Sequence, residues 1–246
     1  MSKKVVLTRE ANKNKPWQTY FSQNGFEVTS IPLIKTRPIK MDLSREQQQT
    51  DWLFLTSANA VEYFFTNQHE RFNYKIAVIG EKTKEKLAEF GHEPNFVPSI
   101  YQSEVFLEEW LNENPEKTSI LIPQSNLSRT IIKDRLIEKG YIVVSFELYE
   151  TIFPENSKIR LIEQLKLNET QIIVFASPSA WKNFYSTAKS FPAQKEKWHI
   201  ASIGSITTEA IIADGWEVKY QPKTFTMKHL ADLIIQTCGN KSSVEK

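Results

Sequence analysis

Short apolar, β-branched runs alternate along the chain with amphipathic stretches. Val5-Val6-Leu7, Val28 to Ile31, Leu53-Phe54-Leu55, Ile76 to Ile79 and Asn95-Phe96-Val97 read as strands. So do Ile120-Leu121-Ile122, Ile142-Val143-Val144, Ile172 to Phe175, Ile200 to Ile203 and Val218-Lys219-Tyr220. Helical periodicity fills the intervals, as from Glu81 to Phe90, Ser103 to Leu111, Ser128 to Lys139 and Ser205 to Ala213. Strands alternating with helices of about 10–15 residues predict βαβ units and parallel sheets. Gly25, Gly91, Gly140 and Gly215 each close a helical pattern, where a left-handed C′ residue is needed. Ten strands predict two sheets of five.

The pattern is also written twice. Six of the seven glycines pair off: Gly25 with Gly140, Gly80 with Gly204, and Gly91 with Gly215. The last two pairs share an offset of 124, and so do Pro98 and Pro222. Trp52 to Ala60 echoes Ile172 to Ala180, and Ile79-Gly80-x-x-Thr83 echoes Ile203-Gly204-x-x-Thr207. A repeat of this length predicts two similar modules and a cleft. Two extended, proline-terminated segments interrupt the alternation at aligned positions, Leu33 to Ile39 and Leu148 to Pro154. Read as paired connectors, they give a discontinuous domain (residues 1–35 and 154–246) and an inserted one (40–147). A single division near residue 115 is the other reading. The predicted class is α/β, with two flavodoxin-like, doubly wound parallel-sheet domains and a two-segment connector.

Composition narrows the partners. The 246 residues are 40% hydrophobic and 24% charged, enough for a core in each half. A net charge of +2 is too weak to point to nucleic acid, but allows a locally basic cleft for an anion. Cys238 is the single cysteine, which excludes an intrachain disulfide and suits a reducing cytoplasm. The apolar run ending at Leu7 is too short for a signal peptide or membrane span. His69, His92, His199 and His229 lack metal-ligand spacing, and no metal or other cofactor is expected.

In open parallel sheets, ligands bind beyond the carboxyl ends of the strands. Hydroxyls gather at those places: Thr8, Thr56, Ser57, Thr83, Ser125, Ser177, Ser179, Ser205, Thr207 and Thr208. Each would serve equally as a helix cap, worth about 1 kcal/mol. Together with free helix N–H groups they suit a ligand with several anionic arms. Arg9 follows the first strand and could reach such an arm or a surface carboxylate. Arg129, near a helix start, could bind an acidic arm or lie solvated on the helix surface, and the isolated Asp51 and Asp134 fit solvated or capping roles. Tyr149, on the second connector, suits either aromatic packing or hydrogen-bond donation to a ligand. Dinucleotide, phosphate-loop and nucleophile-elbow motifs are all missing.

Taken in order, these motifs resemble the uroporphyrinogen-III synthase family over nearly the whole chain. Val5-Val6-Leu7-Thr8-Arg9 is similar to its first strand, although Glu10 replaces the proline often found next. Asp51 to Val61 resembles its D-x-x-x-x-T-S-x-x-A-V segment, and the two I-G-x-x-T turns resemble its paired turns. Leu148-Tyr149-x-Thr151 resembles its connector, and Phe175 to Ala180 its second hydroxyl-rich turn. Ile206 stands where many members carry a second threonine.

The resemblance implies the substrate hydroxymethylbilane, a linear tetrapyrrole with acetate and propionate arms, cyclised with loss of water and inversion of the last ring. It implies substrate binding by Thr8, Arg9, Ser57, Asn59, Gly80, Thr83, Ser125, Ser177, Ser179, Gly204 and Thr207. Tyr149 would assist departure of the hydroxyl. A monomer is expected, with no nucleic-acid or membrane partner and a transient contact with the preceding pathway enzyme. The alternatives are a non-enzymatic two-domain protein that binds small anions and a regulatory ligand sensor.

Overall fold

The computed structural model describes residues 3–40, 50–67, 73–167 and 169–239. The chain divides into two compact units, Met1–Lys35 with Ile152–Lys246, and Thr36–Thr151. It therefore passes from one unit to the other twice.

The first unit holds a parallel sheet of four strands: β1 (Lys3–Leu7), β2 (Phe26–Ser30), β8 (Gln171–Phe175) and β9 (Trp198–Ser202). Their order is β2-β1-β8-β9. Val5 sits opposite Val28 on one side and Ile172 on the other. Successive side chains point to opposite faces, so β1 sends Val6 into one core with Trp181, Phe184 and Ile200, and Val5 and Leu7 into another with Phe21, Leu230 and Ile234. Burial on both faces explains why these strands read as unbroken apolar runs.

The second unit has five strands: β3 (Lys35–Pro38), β4 (Trp52–Leu55), β5 (Lys75–Val78), β6 (Ser119–Ser125) and β7 (Ile142–Ile152), ordered β3-β7-β6-β4-β5. Leu53 and Leu55 face one core with Phe64 and Val78, whereas Trp52 and Phe54 face the other with Phe106 and Trp110.

Two sheets of five are not what forms. Asn95 to Val97 and Val218 to Tyr220 are each reduced to one parallel bridge, Phe96 to Ala77 and Tyr220 to Ala201. Pro98 and Pro222 follow two residues later and supply no N–H for a longer ladder. The fifth strand of the second sheet comes instead from the first connector. Ile39 N–H donates to the Leu148 carbonyl, so the two connector segments are hydrogen-bonded to each other. The helical pattern from Ser128 begins only at Ile131, because the Ser125–Ser128 segment closes a turn of its own.

Repeat-equivalent strands take the same places in both sheets. β2-β1-β8-β9 with Tyr220 matches β7-β6-β4-β5 with Phe96. The first sheet takes its leading strand pair from the beginning of the chain and the rest from the end. The second is assembled from the middle, with the order of the two portions reversed.

Candidate active site

In the second unit, the predicted residues gather just beyond the ends of β4 and β5 and on the carboxyl-terminal portions of β6 and β7. Ser57 follows β4 and caps the helix Ala58–Asn67. Its Oγ accepts from Ala60 N–H at 3.1 Å, and its carbonyl accepts from Val61 N–H. The same Oγ lies 3.0 Å from Tyr149 Oη.

Tyr149 owes its place to a bulge. Gln124 sits opposite Glu147 but Ser125 opposite Tyr149, which leaves Leu148 as the extra residue. Two consecutive side chains, Leu148 and Tyr149, can then both face the same core, which the alternation of a regular strand would not allow. The Tyr149 ring stacks on Tyr63 at 5.1 Å, and Tyr63 Oη donates to Thr36 Oγ1. Asn126 N–H donates to the Tyr149 carbonyl. Ser125 Oγ is engaged locally, near Ser128 Oγ and accepting from Leu127 N–H. Asn59 is half-buried, and its side chain makes no hydrogen bond among the described residues.

Gly80 starts the helix Glu81–Glu89 at φ 94°, ψ 147°, backbone that a side chain strains. Its carbonyl accepts from Thr83 and Lys84 N–H. Thr83 is a buried residue, yet its hydroxyl bonds to no described group and is not sealed from solvent.

In the first unit, Thr8 and Arg9 follow β1. Thr8 is fully buried, and its hydroxyl donates to the Val174 carbonyl at 2.6 Å, tying β1 to β8. That hydroxyl is committed to the fold rather than offered to a ligand. Arg9 is half-buried and forms no ion pair or side-chain hydrogen bond among the described residues. Loss of surrounding water pushes its guanidinium below its ordinary pKa, opposed by the nearby Glu10 carboxylate. Arginine stays protonated even so.

Ser177 repeats the Ser57 cap, accepting from Ala180 N–H at 3.2 Å at the head of the helix Pro178–Ala188. Here the partner hydroxyl is Ser179, 3.1 Å away, and not a tyrosine. Gly204 begins the helix Ser205–Ala213 in extended backbone (φ −169°), so its lack of a side chain has another cause. A Cβ there would lie 3.1 Å from Phe225 Cγ. Thr207 is buried with an unbonded hydroxyl, as Thr83 is. Thr208 is spent on Ser202 and Gln221, and Ile206 is 73% exposed.

Asn14 escaped the sequence reading. It is fully buried on the helix Ala11–Gln23, and its Nδ2 donates to the carbonyls of Leu7 and Arg9 and to Ser30 Oγ. It fixes the backbone that carries Arg9. A lone amide on an apolar helix face was its only trace in the sequence. Tyr63, which backs Tyr149, left no trace beyond an ordinary aromatic.

A groove of ≈ 550 Å³ runs along the helices Ser103–Glu113 and Ile131–Glu138, lined by Leu107, Leu111, Arg135 and Tyr141 among others. None of the predicted site residues lines it, and it lies on a helical flank rather than at the strand ends. Among the described residues no cluster of histidine, cysteine or acidic side chains could hold a metal, and no helix is long and apolar enough to cross a membrane. His69 lies outside the described residues.

A two-unit α/β protein with parallel sheets, whose strand ends carry hydroxyls and helix N-termini, is the class these features define. The family model described as uroporphyrinogen-III synthase HemD matches residues 15–232. The chain belongs to the uroporphyrinogen-III synthase family. A Methanocaldococcus jannaschii protein, provisionally named as such a synthase, is 30% identical over 94% of this chain and 97% of its own. The uroporphyrinogen-III synthase of Synechococcus elongatus is 26% identical over 94% of this chain and 93% of its own. A crystal structure of a mutant uroporphyrinogen III synthase from Thermus thermophilus superposes with a TM-score of 0.71 at 16% identity, covering 98% of this chain and 99% of its own. The Helicobacter pylori uroporphyrinogen-III synthetase gives 0.64 at 18%, over 96% and 100%. Those two likenesses are of fold. Family membership does not favour the non-enzymatic alternative.

Proposed function

We propose that the protein acts as a cyclising hydro-lyase that converts hydroxymethylbilane to uroporphyrinogen III. Loss of the terminal hydroxyl as water leaves an azafulvene cation. The far pyrrole attacks through its substituted α-carbon, and the resulting spiro intermediate breaks and recloses with that ring inverted. The ring gives up one proton on closure, which balances the proton that leaves with the hydroxyl. The pyrroles supply most of the reactivity. The protein has to fold the chain, hold its arms and assist the departing hydroxyl.

Arg9 carries this reading: it is a half-buried cation at the carboxyl end of β1 that forms no ion pair or side-chain hydrogen bond among the described residues and feels the Glu10 carboxylate only through space. Such a group is suited to a carboxylate arm. The unbonded hydroxyls of Thr83 and Thr207, the free Asn59 amide and the N–H groups after Gly80 and Gly204 are further donors of the same kind. Tyr149 is the group in this reading that hydrogen-bonds the leaving hydroxyl. We further propose a cytoplasmic monomer that needs no cofactor and has a transient contact with the enzyme that supplies its substrate.

The test is incubation with hydroxymethylbilane, with nothing added, followed by oxidation and separation of the porphyrin isomers. The type III isomer is expected. Recovery of the spontaneous type I isomer alone from folded protein would overturn the reading. Loss of activity after exhaustive chelation would overturn its cofactor-free part.

A further inference from the structure

The Ser57–Tyr149 pair differs from its repeat counterpart in a way that bears on proton donation. Ser177 shares its hydrogen bond with Ser179, two residues on. At the place of Ser179 the second unit has Asn59, which has no described partner, and the serine turns instead to a phenol from β7. Ser57 Oγ already accepts from Ala60 N–H at the start of a helix. A serine has one proton and two acceptor sites, so it can still either accept from Tyr149 or donate to it.

These two choices interconvert by rotating two O–H bonds, with no heavy atom moving. In one, Tyr149 is satisfied by Ser57 and offers no proton outward. In the other, Ser57 donates to the phenolic oxygen and the Tyr149 proton is free for an outside acceptor. The helix N–H on Ser57 polarises its O–H bond, and the positive end of the helix favours negative charge growing on the phenol. Stacking on Tyr63 holds the ring, and the Asn126 N–H holds the Tyr149 backbone carbonyl, while the protons turn.

We infer that Ser57 is a positioning residue that turns Tyr149 into an outward hydrogen-bond donor when an acceptor arrives, and that it is not itself a contact for the substrate's arms. This rests on the proposed role of Tyr149 toward the departing hydroxyl. As that oxygen takes up the Tyr149 proton and leaves as water, the phenolic oxygen keeps the Ser57 hydrogen bond. The proton is restored from the one the pyrrole ring releases on closure.

The experiment compares Ser57→Ala, Ser57→Thr, Tyr149→Phe and the Ser57→Ala/Tyr149→Phe double variant by kcat and KM for hydroxymethylbilane, with folding checked by thermal unfolding. Ser57→Thr keeps both hydrogen bonds and should match the wild type. Ser57→Ala should lower kcat about 10-fold, the scale of one lost hydrogen bond, and leave KM nearly unchanged. Tyr149→Phe should lower kcat by about 10²-fold, and adding Ser57→Ala to it should change nothing further. A rise in KM as the main effect of Ser57→Ala, or an equal loss in the Tyr149→Phe background, would overturn the inference and leave the role of Tyr149 standing. Wild-type turnover of Tyr149→Phe would instead remove the role of Tyr149, and the inference with it. Should Ser57→Ala fail to fold, Ser57→Asp serves, since it caps the helix but has no proton to give. It should lower kcat, and unchanged kcat would overturn the inference.

Discussion

Arg37 Nε lies 2.7 Å from Glu150 Oε1, and the two residues stand on the two segments that lead the chain from one compact unit to the other. Side-chain exposures of 57% and 29% leave the pair largely in water. Arg37→Ala should therefore lower stability by less than about 1 kcal/mol. The Arg37→Glu variant should do worse at low salt, and the Arg37→Glu/Glu150→Arg double variant should recover most of the loss. Thermal unfolding at low and high salt checks this, because screening should erase the difference between the single and double variants.

Thr83 and Thr207 separate ligand binding from stability. Their hydroxyls bond to nothing described, so Thr83→Val and Thr207→Val should leave stability within about 0.5 kcal/mol. Each should lower kcat/KM about 5-fold, the scale of one hydrogen bond to the substrate. Ser177→Ala should behave differently, costing about 1 kcal/mol of stability because its Oγ caps a helix. Denaturant midpoints and steady-state kinetics on the same preparations decide the matter. Wild-type kcat/KM in both valine variants would remove these threonines from the site.

Gly80 and Gly204 are equivalent in the repeat but not in physics. Gly80→Ala forces a side chain onto φ 94° and should cost about 1–3 kcal/mol, whatever its neighbours are. Gly204→Ala has no such backbone problem. Its cost, about 1 kcal/mol, should come from the Phe225 ring 3.1 Å from the new Cβ. Phe225→Ala should relieve most of the Gly204→Ala loss and none of the Gly80→Ala loss. A double-variant cycle by chemical denaturation reads the difference.

Asp51 should shape the acid limb of stability. Its carboxylate accepts from Ser119 Oγ at 2.6 Å and from Ser119 N–H at 2.8 Å, and these two bonds push its pKa below the usual aspartate range. A depressed carboxylate adds stability above its unfolded value of about 4, and that stability is lost as pH falls through the lower folded value. Asp51→Asn should therefore cost about 1 kcal/mol at neutral pH, modest because the group is exposed. Its deficit should shrink as pH drops below about 4. A deficit that stays constant with pH, measured by denaturation at each pH, would show that the charge is not what matters.

Alternating apolar runs and helical periods sufficed for the α/β class, since strands buried on both faces leave a continuous hydrophobic record. Glycines at Gly25, Gly91, Gly140 and Gly215 marked helix ends, and all four have φ between 75° and 80°. Ser57 and Ser177 were legible as helix starts, because capping is a local interaction between residues three apart. The hydroxyls of Thr8 and Thr83 could not be told apart in the same way. One is consumed by a strand that arrives 166 positions later and the other is left unbonded.

The repeat itself was plain in the sequence, but which portions share a sheet was not. A strand's apolar surface is satisfied by any neighbour of similar pattern, and β1 resembles a partner for β4 as much as for β8. Tertiary pairing put β1 beside β8 and β6 beside β4, so each sheet draws on both copies of the repeat. The bulge that turns Tyr149 toward Ser57 is likewise a matter of register between distant strands. Local sequence determines backbone preference and burial period. Only the assembled sheet decides which hydroxyl meets which partner, because hydrogen bonds depend on positions in space that no short window of sequence contains.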